Sequence, residues 1–477
     1  MKYLPLFGSG VSSYSAVVTR QRRLNVLLDV RSDQDRSAVV AVGTPGTLTW
    51  TTVPAAPVWG WHQVGTSLYV VAGKQLYSVD SAGTVSVIGA LPTVSRFVSM
   101  VDNALQLLIV DGVAGYIYSI TGHTISTITD TNFPNGCTSV GFLDGYFFAV
   151  VPGVSGAFNQ SVYQDGTNWT EPGTSSPIVG YKENSSDPLL ALNVVNGTMM
   201  LYGSTSTELW QDVAGTPLLV QRINGATQPW GLAAVNSLAV LAGGSTVFLG
   251  FNPDGGVRVV QLVGTGLAPI STSDVDYTIK HFSVVADAVA LVYSAYGHSV
   301  YQLTFPTAGR TLCYDLASGL WHEAQTGLGV TAPHFATLGV AFAGKNLLCD
   351  ATTGHIYYTD ENAYSDNGAP IPREVCTRHI RADGNRLYLS QLMLDMETGV
   401  GNSAAPAPHV FVSVSRDGGH TFGPERFKLL GSVGQYIQRV VFNRLGSARD
   451  FVVRIRMADA VKFILTSAGA AIEQIDS

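Results

Sequence analysis

The sequence predicts an all-β fold, and three observations support this prediction. Glycine accounts for 51 of the 477 residues, about 11 % against a usual 7 % or so. Charged residues make up only 13 % of the chain, about half the usual share. Short alternating strands between Gly, Asn and Asp turns recur throughout, whereas helical periodicity is scarce. The hydrophobic share of 46 % is enough for a large core and excludes global disorder, and the composition excludes a coiled coil.

A β unit repeats along the central part of the chain. In residues 67–88 and 104–128, an apolar strand meets a glycine turn, a second strand carries tyrosine, and a third strand follows another turn. The pattern returns five more times, less regularly. Its aromatic anchors are Tyr77, Tyr118, Tyr163, Trp210, Phe248, Tyr301 and Tyr357. Their mean step of about 47 residues is typical of four-stranded propeller blades. We therefore predict a β-propeller of about seven blades over residues 50–370, with a pair of β-sandwiches as the alternative.

The turns and the ends of the repeat support the same architecture. Asp144-Gly145 and Asn196-Gly197 precede apolar strands, and both dipeptides are good formers of tight turns. A single blade cannot bury both of its faces, but radial stacking of several blades can. Residues 1–49 form a separate N-terminal segment, from which we expect a strand that closes the ring with the last blade.

The last part of the chain has a different pattern. Residues 364–372 are polar and rich in Gly and Pro, which indicates a linker. Longer strands follow, and we predict that residues 371–477 form a β-sandwich-like domain. The expected strands are Arg386–Asp395, His409–Ser415, Ile437–Phe442 and Phe451–Met457.

Charge is divided unevenly along the chain. Residues 1–36 and 373–477 each carry a net charge of +3, whereas residues 37–372 carry −13. An acidic body is a poor general binder of nucleic acid, because attraction to phosphate supplies most non-specific affinity. We expect the basic ends to serve assembly with acidic neighbours, the alternative being that these arginines only decorate a solvated sheet face. The candidate interface residues are Arg20, Arg22, Arg23, Arg439, Arg444, Arg454 and Arg456.

Motifs for catalysis and metal binding are incomplete. The segment Gly339–Asn346 matches G-x-x-x-x-G-K but continues with Asn346, where a phosphate loop needs the Ser or Thr that holds Mg²⁺. His322-Glu323 begins the zinc motif H-E-x-x-H without a second histidine. We therefore predict no enzyme activity, catalytic residue, metal or cofactor. A two-carboxylate glycosidase site, whose members meet only in space, stays open. The four cysteines lack metal-site spacing, and we expect them to be buried and reduced.

One short motif is complete. The pattern S-x-D-x-G-x-T-W/F, which resembles the Asp-box of sialidases and other propellers, is matched by Ser415, Asp417, Gly419, Thr421 and Phe422. In those proteins the motif folds a compact turn above a packed aromatic ring, and its role is structural. Here it occurs once, outside the repeats. This turn carries the alternative function, a carbohydrate-active or glycan-binding propeller, although a sialidase would also need an arginine cluster that the arginine-poor body lacks.

Several stretches together resemble a known family of viral structural proteins. They are Arg22–Asn25, Gly43–Gly46, Cys313–His322, Ser415–Phe422, Arg426 and Arg439–Leu445. In this order they are similar to the packaged-DNA stabilisation proteins, the tail hubs or head-closure proteins of short-tailed bacteriophages. The short segment before the arginines departs from that pattern.

The resemblance implies a propeller body without enzyme activity and a homohexameric ring. Such a ring would lie below the portal and its adaptor, contact a tail needle or spike, and help to retain packaged DNA. DNA would pass through its channel without sequence-specific binding, and an acidic lumen would repel the phosphates. The implied location is the virion tail, assembled in the bacterial host cytoplasm, with no membrane span.

Overall fold

The computed structural model describes residues 2–4, 6–8, 10–16, 18–31, 38–94, 97–329, 332–382 and 384–475. Their secondary structure is almost entirely β. The strands of the N-terminal part are β1 (Lys2–Tyr3), β2 (Arg23–Leu24), β3 (Val26–Val30), β4 (Val39–Gly43) and β5 (Gly46–Thr52). These five strands do not form a sheet of their own: β3 pairs with β4, whereas β1, β2, β4 and β5 pair with strands from much later in the chain.

The first four blades are consecutive four-stranded antiparallel sheets. Blades 1 and 2 contain β6 (Val58–Val64), β7 (Ser67–Ala72), β8 (Gln75–Val79), β9 (Val85–Ala90), β10 (Ser99–Asp102), β11 (Gln106–Val110), β12 (Gly115–Ser119) and β13 (Thr124–Thr127). Blades 3 and 4 contain β14 (Val140–Leu143), β15 (Tyr146–Val150), β16 (Ala157–Gln160), β17 (Ile178–Tyr181), β18 (Leu189–Val195), β19 (Thr198–Gly203), β20 (Thr207–Asp212) and β21 (Val220–Arg222).

Three further blades complete the ring. Blade 5 contains β22 (Gly231–Leu232), a 3₁₀ turn (Val235–Ser237), β23 (Ala239–Val240), β24 (Thr246–Asn252), β25 (Gly256–Val263) and β26 (Gly266–Pro269). Helix α1 (Ser273–Lys280) leads to blade 6, which contains β27 (Val289–Ala295), β28 (His298–Phe305), β29 (Arg310–Asp315) and β30 (Leu320–Ala324). Blade 7 contains β31 (Ala336–Phe342), β32 (Lys345–Asp350) and β33 (His355–Asp360). Strand β5 pairs with β33 as the fourth strand of blade 7, so the two ends of the propeller share one sheet.

Seven separate apolar clusters lie between neighbouring blades, including the pair of blades 7 and 1. The second strand of a blade is covered on both faces, so its residues are apolar without alternation. Strand β7, for example, is buried from Leu68 to Ala72. This double burial explains how a chain with few charged residues builds a large β core, and it confirms the predicted propeller of about seven blades.

Tight turns set the hairpins of the blades. Asp144 and Gly145 have φ values of +47° and +95°, and Asn196 and Gly197 have +50° and +73°. A two-residue turn with positive φ at both positions matches the twist of the strands that it joins. These two predicted turns connect the first and second strands of blades 3 and 4.

The aromatic anchors do not all occupy equivalent places, which corrects one detail of the repeat. Tyr163 lies in the long loop after β16 with 59 % of its surface exposed. Trp169, later in the same loop, is fully buried and packs against Phe133, with ring centroids 5.2 Å apart. The loop length differs between blades, and a repeat read from tyrosine spacing alone selects the wrong aromatic residue there.

The remaining strands form a short hairpin and a sandwich. They are β34 (Ser365–Asp366), β35 (Ala369–Pro370), β36 (Arg373–Cys376), β37 (Ile380–Arg381), β38 (Arg386–Met396), β39 (His409–Ser415), β40 (Arg426–Leu429), β41 (Val440–Ala448), β42 (Asp450–Met457) and β43 (Ile464–Ile475). One sandwich sheet has the order β3-β4-β43-β38-β41, and the other has β36-β42-β39-β40. A single apolar cluster fills the space between them.

Two expectations about this part need correction. Residues 364–372 are not a plain linker, because β34 and β35 form a hairpin on the sheet of blade 7 and Asp366 is buried. The strand expected at Ile437–Phe442 begins only at Val440, since residues 432–439 form an exposed loop.

Candidate functional site: the junction of the two domains

Strand β2 joins the propeller to the sandwich. It pairs in parallel with β30 of blade 6 and antiparallel with β36 of the sandwich. Leu24 is the residue opposite both Glu323 and Glu374. One hydrogen-bonded sheet therefore runs from blade 6 through β2 into the sandwich.

Arg22 connects the carboxylates on both sides of this junction. Its guanidinium lies 2.8 Å from the Glu323 carboxylate and 3.5 Å from that of Glu374. Arg310 donates to the other oxygen of Glu323 at 2.7 Å. Burial alone would lower the pKa of Arg22, but the charges of Glu323 and Glu374 raise it above its ordinary value. These ion pairs hold blade 6, β2 and β36 together.

The network continues across the sandwich. Arg456 lies 3.6 Å from Glu374 and 2.8 Å from Glu425. Arg454 approaches Glu425 at 3.6 Å, and its guanidinium stacks 4.3 Å from the centre of the Phe422 ring. Arg454 and Arg456 share one face of β42, as alternation in a strand requires. Both arginines therefore have partners within their own chain.

Arg23 points into the interior. Only 3 % of its surface is exposed, and it donates to the Trp321 carbonyl at 2.6 Å. Burial lowers its pKa to about 10, and it also lowers that of the adjacent His322 to about 3, with the charge of Arg23 as the second cause. A side chain so deeply buried cannot contact another protein, so Arg23 leaves the set of candidate interface residues.

Asn25 fixes the path of the segment after β2. Its side-chain amide donates to the carbonyls of Gln325 and Pro372 at 2.8 Å each, and its Oδ1 accepts from the Gln325 amide. The residue is buried and has a φ of +51°. The backbone of Thr44 bonds to the Asn25 carbonyl. Asn25 thus joins the N-terminal segment, blade 6 and the entry to the sandwich.

A cavity of about 480 Å³ opens beside the network. Its walls come from the N-terminal segment, helix α1, blade 6 and the sandwich, and it includes Arg20, Tyr277 and Phe422. Arg20 is exposed and lies against Gly419 of the Asp-box-like turn. It is the candidate interface arginine at the surface of the junction.

The Asp-box-like turn follows β39 and has the expected internal bonds. Asp417 accepts from the Thr421 amide at 2.9 Å and from its hydroxyl at 2.6 Å, and Ser415 donates to Asp417 at 2.7 Å. The Gly419 amide donates to the Ser415 hydroxyl. The hydrogen bonds from Ser415 and Thr421 hold the pKa of Asp417 well below its usual range. These hydrogen bonds all lie within the turn. The ring of its aromatic residue, Phe422, packs against the guanidinium of Arg454.

The last two candidate arginines lie on the outer side of the sandwich. Arg439 and Arg444 are exposed, and neither forms an ion pair with a described residue. The structure therefore divides the seven arginines into two groups. Arg22, Arg23, Arg454 and Arg456 bind within the chain, whereas Arg20, Arg439 and Arg444 face outward.

The incomplete catalytic and metal-binding motifs of the sequence lie in regular β-strands and turns. Gly339 lies inside β31 and Lys345 begins β32, so the G-x-x-x-x-G-K match is a β-hairpin without a phosphate loop. The described residues contain no group of three or more His, Cys, Asp or Glu side chains able to hold a metal ion. All four cysteines are buried free thiols.

Sequence reasoning missed the carboxylates of the junction. Glu323, Glu374 and Glu425 carry the network, yet nothing in the sequence marks them. The two partners Arg22 and Glu323 are 301 residues apart in the chain, and no local pattern reports such a pairing. In the described part of the chain, no helix is long and apolar enough to cross a membrane.

The solved structures that match this chain share little sequence identity with it. One is an extracellular domain of a putative one-component system from B. thetaiotaomicron, 8 % identical with a TM-score of 0.43, covering 83 % of this chain and 47 % of that one. The chain thus spans about half the length of that protein. Others are a chain of the Mitotic Checkpoint Complex (12 % identity, TM-score 0.43, covering 70 % and 95 %) and the Neurospora crassa Pan2 WD40 domain (11 %, 0.39, 66 % and 95 %).

Family models give a direct match. Residues 7–364 match the model described as Bacteriophage P22 Gp10, beta-propeller, and residues 372–473 match the one described as Bacteriophage P22 Gp10, beta-sandwich. A comparison with curated proteins gives no match. The two models meet between residues 364 and 372, at the β34–β35 hairpin.

Proposed function

The chain belongs to the bacteriophage P22 Gp10 family, and on this premise we propose that it is a tail hub. The hub docks beneath the portal–adaptor complex, continues the DNA channel and helps to retain packaged DNA. The observation that carries the proposal is the pair of family models, which cover both domains in the order found here. The family is one of structural phage proteins, so the chain is a virion component without a proposed enzyme activity.

The physical properties of the chain support such a role. A hub must present large protein surfaces, and protein interfaces are depleted of charge at their centres. The charge-poor, acidic body agrees with this requirement and would not retain DNA by phosphate attraction. Strand β2 is hydrogen-bonded to both domains, so a force on one domain would reach the other through a continuous sheet. We propose that six copies form the ring and that a tail needle or spike binds below it.

The outward arginines supply candidate contacts to the neighbours. Arg20 lies at the junction and is our choice for the adaptor-facing side, whereas Arg439 and Arg444 lie on the sandwich. Ion pairs at an interface rim change the association rate and its salt dependence more than the affinity. Arg20→Glu should therefore slow docking at low salt and have little effect on folding.

The test uses DNA-filled particles that lack this protein. Adding the purified full-length chain should protect their DNA from nuclease and add density beneath the adaptor in electron micrographs. A chain that binds elsewhere, or particles that keep their DNA equally well without it, would overturn the proposal. The glycan alternative has only the single Asp-box-like turn, whose Ser415, Asp417 and Thr421 side chains bond to one another within the turn, so we do not propose it.

A further inference from the structure

The sandwich carries an exposed apolar loop with a basic edge. Val433, Tyr436 and Ile437 are 74 %, 75 % and 94 % exposed. Arg439 ends the loop, and Arg444 lies five residues further on, in β41; both are exposed. We call these five residues the sandwich patch. Such a concentration of exposed apolar side chains is typical of an interaction surface.

The loop holds its shape without a partner. The Gln435 amide donates to the Ser432 carbonyl at 3.0 Å, and the Gln435 side chain accepts from the Ser432 amide at 3.0 Å. The Thr398 hydroxyl donates to the Tyr436 carbonyl at 2.9 Å. The apolar side chains are therefore presented by a formed loop, and less ordering entropy opposes binding than in a disordered segment.

A patch of opposite charge lies on blades 3 and 4. The carboxyl groups of Asp144 and Asp212 share a hydrogen bond, which raises the pKa of Asp144 with some help from burial. Next to them, Tyr163 is 59 % and Val213 43 % exposed. Tyr163 packs on Tyr146, with ring centroids 5.4 Å apart. We call Asp144, Asp212, Tyr163 and Val213 the blade patch. Two neighbouring carboxylates repel each other, and an arginine from outside would relieve that repulsion.

The two patches belong to different domains of the molecule, the sandwich and the propeller. The sandwich is attached through β2 to blade 6, and it includes β3 and β4, which precede β5 of blade 7 in the chain. In a ring of seven, blade 4 lies two positions and blade 3 three positions from blade 6, so neither is its neighbour. Contact between two different complementary surfaces is head-to-tail, and its repetition gives a ring when the rotation between copies closes.

We propose that the sandwich patch of one copy of this chain binds the blade patch of the next copy. The inference rests on the proposed ring and names its interface. Ile437 and Tyr436 pack against Tyr163 and Val213, while Arg439 and Arg444 face Asp144 and Asp212. The occupant of each patch is a second copy, because the two surfaces of this chain complement each other in charge and in apolar content.

Disulfide trapping tests this contact. All four native cysteines are buried, so new exposed thiols can be observed selectively. The full-length double variant Ile437→Cys/Val213→Cys, oxidised mildly at high protein concentration, should form covalent multimers beyond the dimer. Mass spectrometry should find a peptide that links the two substituted positions. Each single variant should give at most dimers, and Ile437→Cys/Val87→Cys, with an exposed position on blade 1, should not form the heterologous link.

A second experiment reverses the charges on each patch. Arg439→Asp/Arg444→Asp should lower association in sedimentation velocity at least tenfold, and so should Asp144→Arg/Asp212→Arg. An equimolar mixture of the two variants should restore association between them. Arg381→Glu, at an exposed arginine elsewhere on the sandwich, is the control and should associate like the unmodified chain.

The outcomes separate this contact from the hub proposal. Absence of the mixed disulfide peptide, or no restoration on mixing, overturns the contact even if the chain still docks on portal–adaptor particles. Linkage through Ile437 only to itself indicates a two-fold dimer, and linkage only to adaptor or needle proteins assigns the sandwich patch to those partners. Both results overturn the proposal. Intact multimers that do not dock would instead contradict the hub.

Discussion

The propeller and the domain junction differ in how far apart their contacting residues lie in the chain and in the forces that join them. Within a blade, neighbouring strands follow one another closely in the chain, and apolar clusters fill the space between blades. At the junction, residues about 300 positions apart meet through charged groups and buried amides. The propeller is thus stabilised mainly by burial of apolar area, whereas the junction depends on the pairing of a few named side chains.

Because the forces differ, substitutions should affect the stability of the two regions differently. Apolar burial is non-directional, so a blade tolerates a substitution in proportion to the volume that it loses. A charged network is directional, and removing one shared partner leaves several buried groups without compensation. The following predictions use mutations in both regions to test that contrast.

The largest effect is expected in a propeller cluster. Phe148 of β15 is fully buried and packs against Phe158, with ring centroids 6.2 Å apart. Phe148→Ala should destabilise the protein by about 3–5 kcal/mol, because it leaves a cavity between blades 3 and 4. Urea unfolding measures the loss. Val87→Ala, at a position 60 % exposed, is the control and should change stability by less than about 0.5 kcal/mol.

The next effect tests the shared carboxylate of the junction. Glu323→Gln should cost about 2–4 kcal/mol, since Arg22 and Arg310 would both lose their charged partner. The double variant with Arg22→Met should cost less than the sum of the single changes, because the charge left unpaired is then removed too. Additive losses in urea unfolding would show that the two residues act independently and would remove the contrast with the propeller.

His322 makes the junction sensitive to pH. Its pKa is lowered to about 3 in the folded protein, against about 6.5 in an unfolded chain. Between these values the unfolded state binds the extra proton, so stability falls as the pH falls. From pH 7 to pH 5 this residue should remove about 2 kcal/mol, and His322→Gln should flatten the curve by that amount. Equal slopes for the two proteins in denaturation series would contradict the assignment.

The smallest effect is expected at the exposed end of the network. Arg456 is 43 % exposed, although it contacts both Glu374 and Glu425. Arg456→Ala should cost less than about 1 kcal/mol, because solvent screens exposed pairs. The loss should shrink further in 1 M salt. A cost as large as that of Glu323→Gln would mean that burial does not set the strength of these pairs.

Repetition made much of the fold predictable. The alternation of apolar strands and glycine turns predicted the all-β class, the propeller and its approximate blade number, because each blade is a local structure. The Asp144-Gly145 turn and the Ser415–Phe422 turn were predictable for the same reason, since their bonds lie within a few residues. Tyr163 misled the prediction because blade 3 has a long loop, and loop length is not set by the repeat.

The candidate site was less predictable. Arginines cluster at the two ends of the chain, and this clustering predicts seven interface residues. Four of them bind carboxylates or carbonyls of the same chain, and Arg23 is buried. The exposure of an arginine side chain determines whether it can bind a partner protein. That exposure depends on which distant strands cover the side chain.

The sequence by itself determined the class of fold, the order of the two domains and the division of charge between body and ends. Those properties depend on local alternation, turn chemistry and composition. The tertiary structure alone decided that β2 links the domains, that Glu323 serves two arginines, and that the exposed basic and acidic patches belong to different domains. Contacts across 300 residues arise from the closure of the ring and the return of the chain ends, and no short-range pattern encodes them.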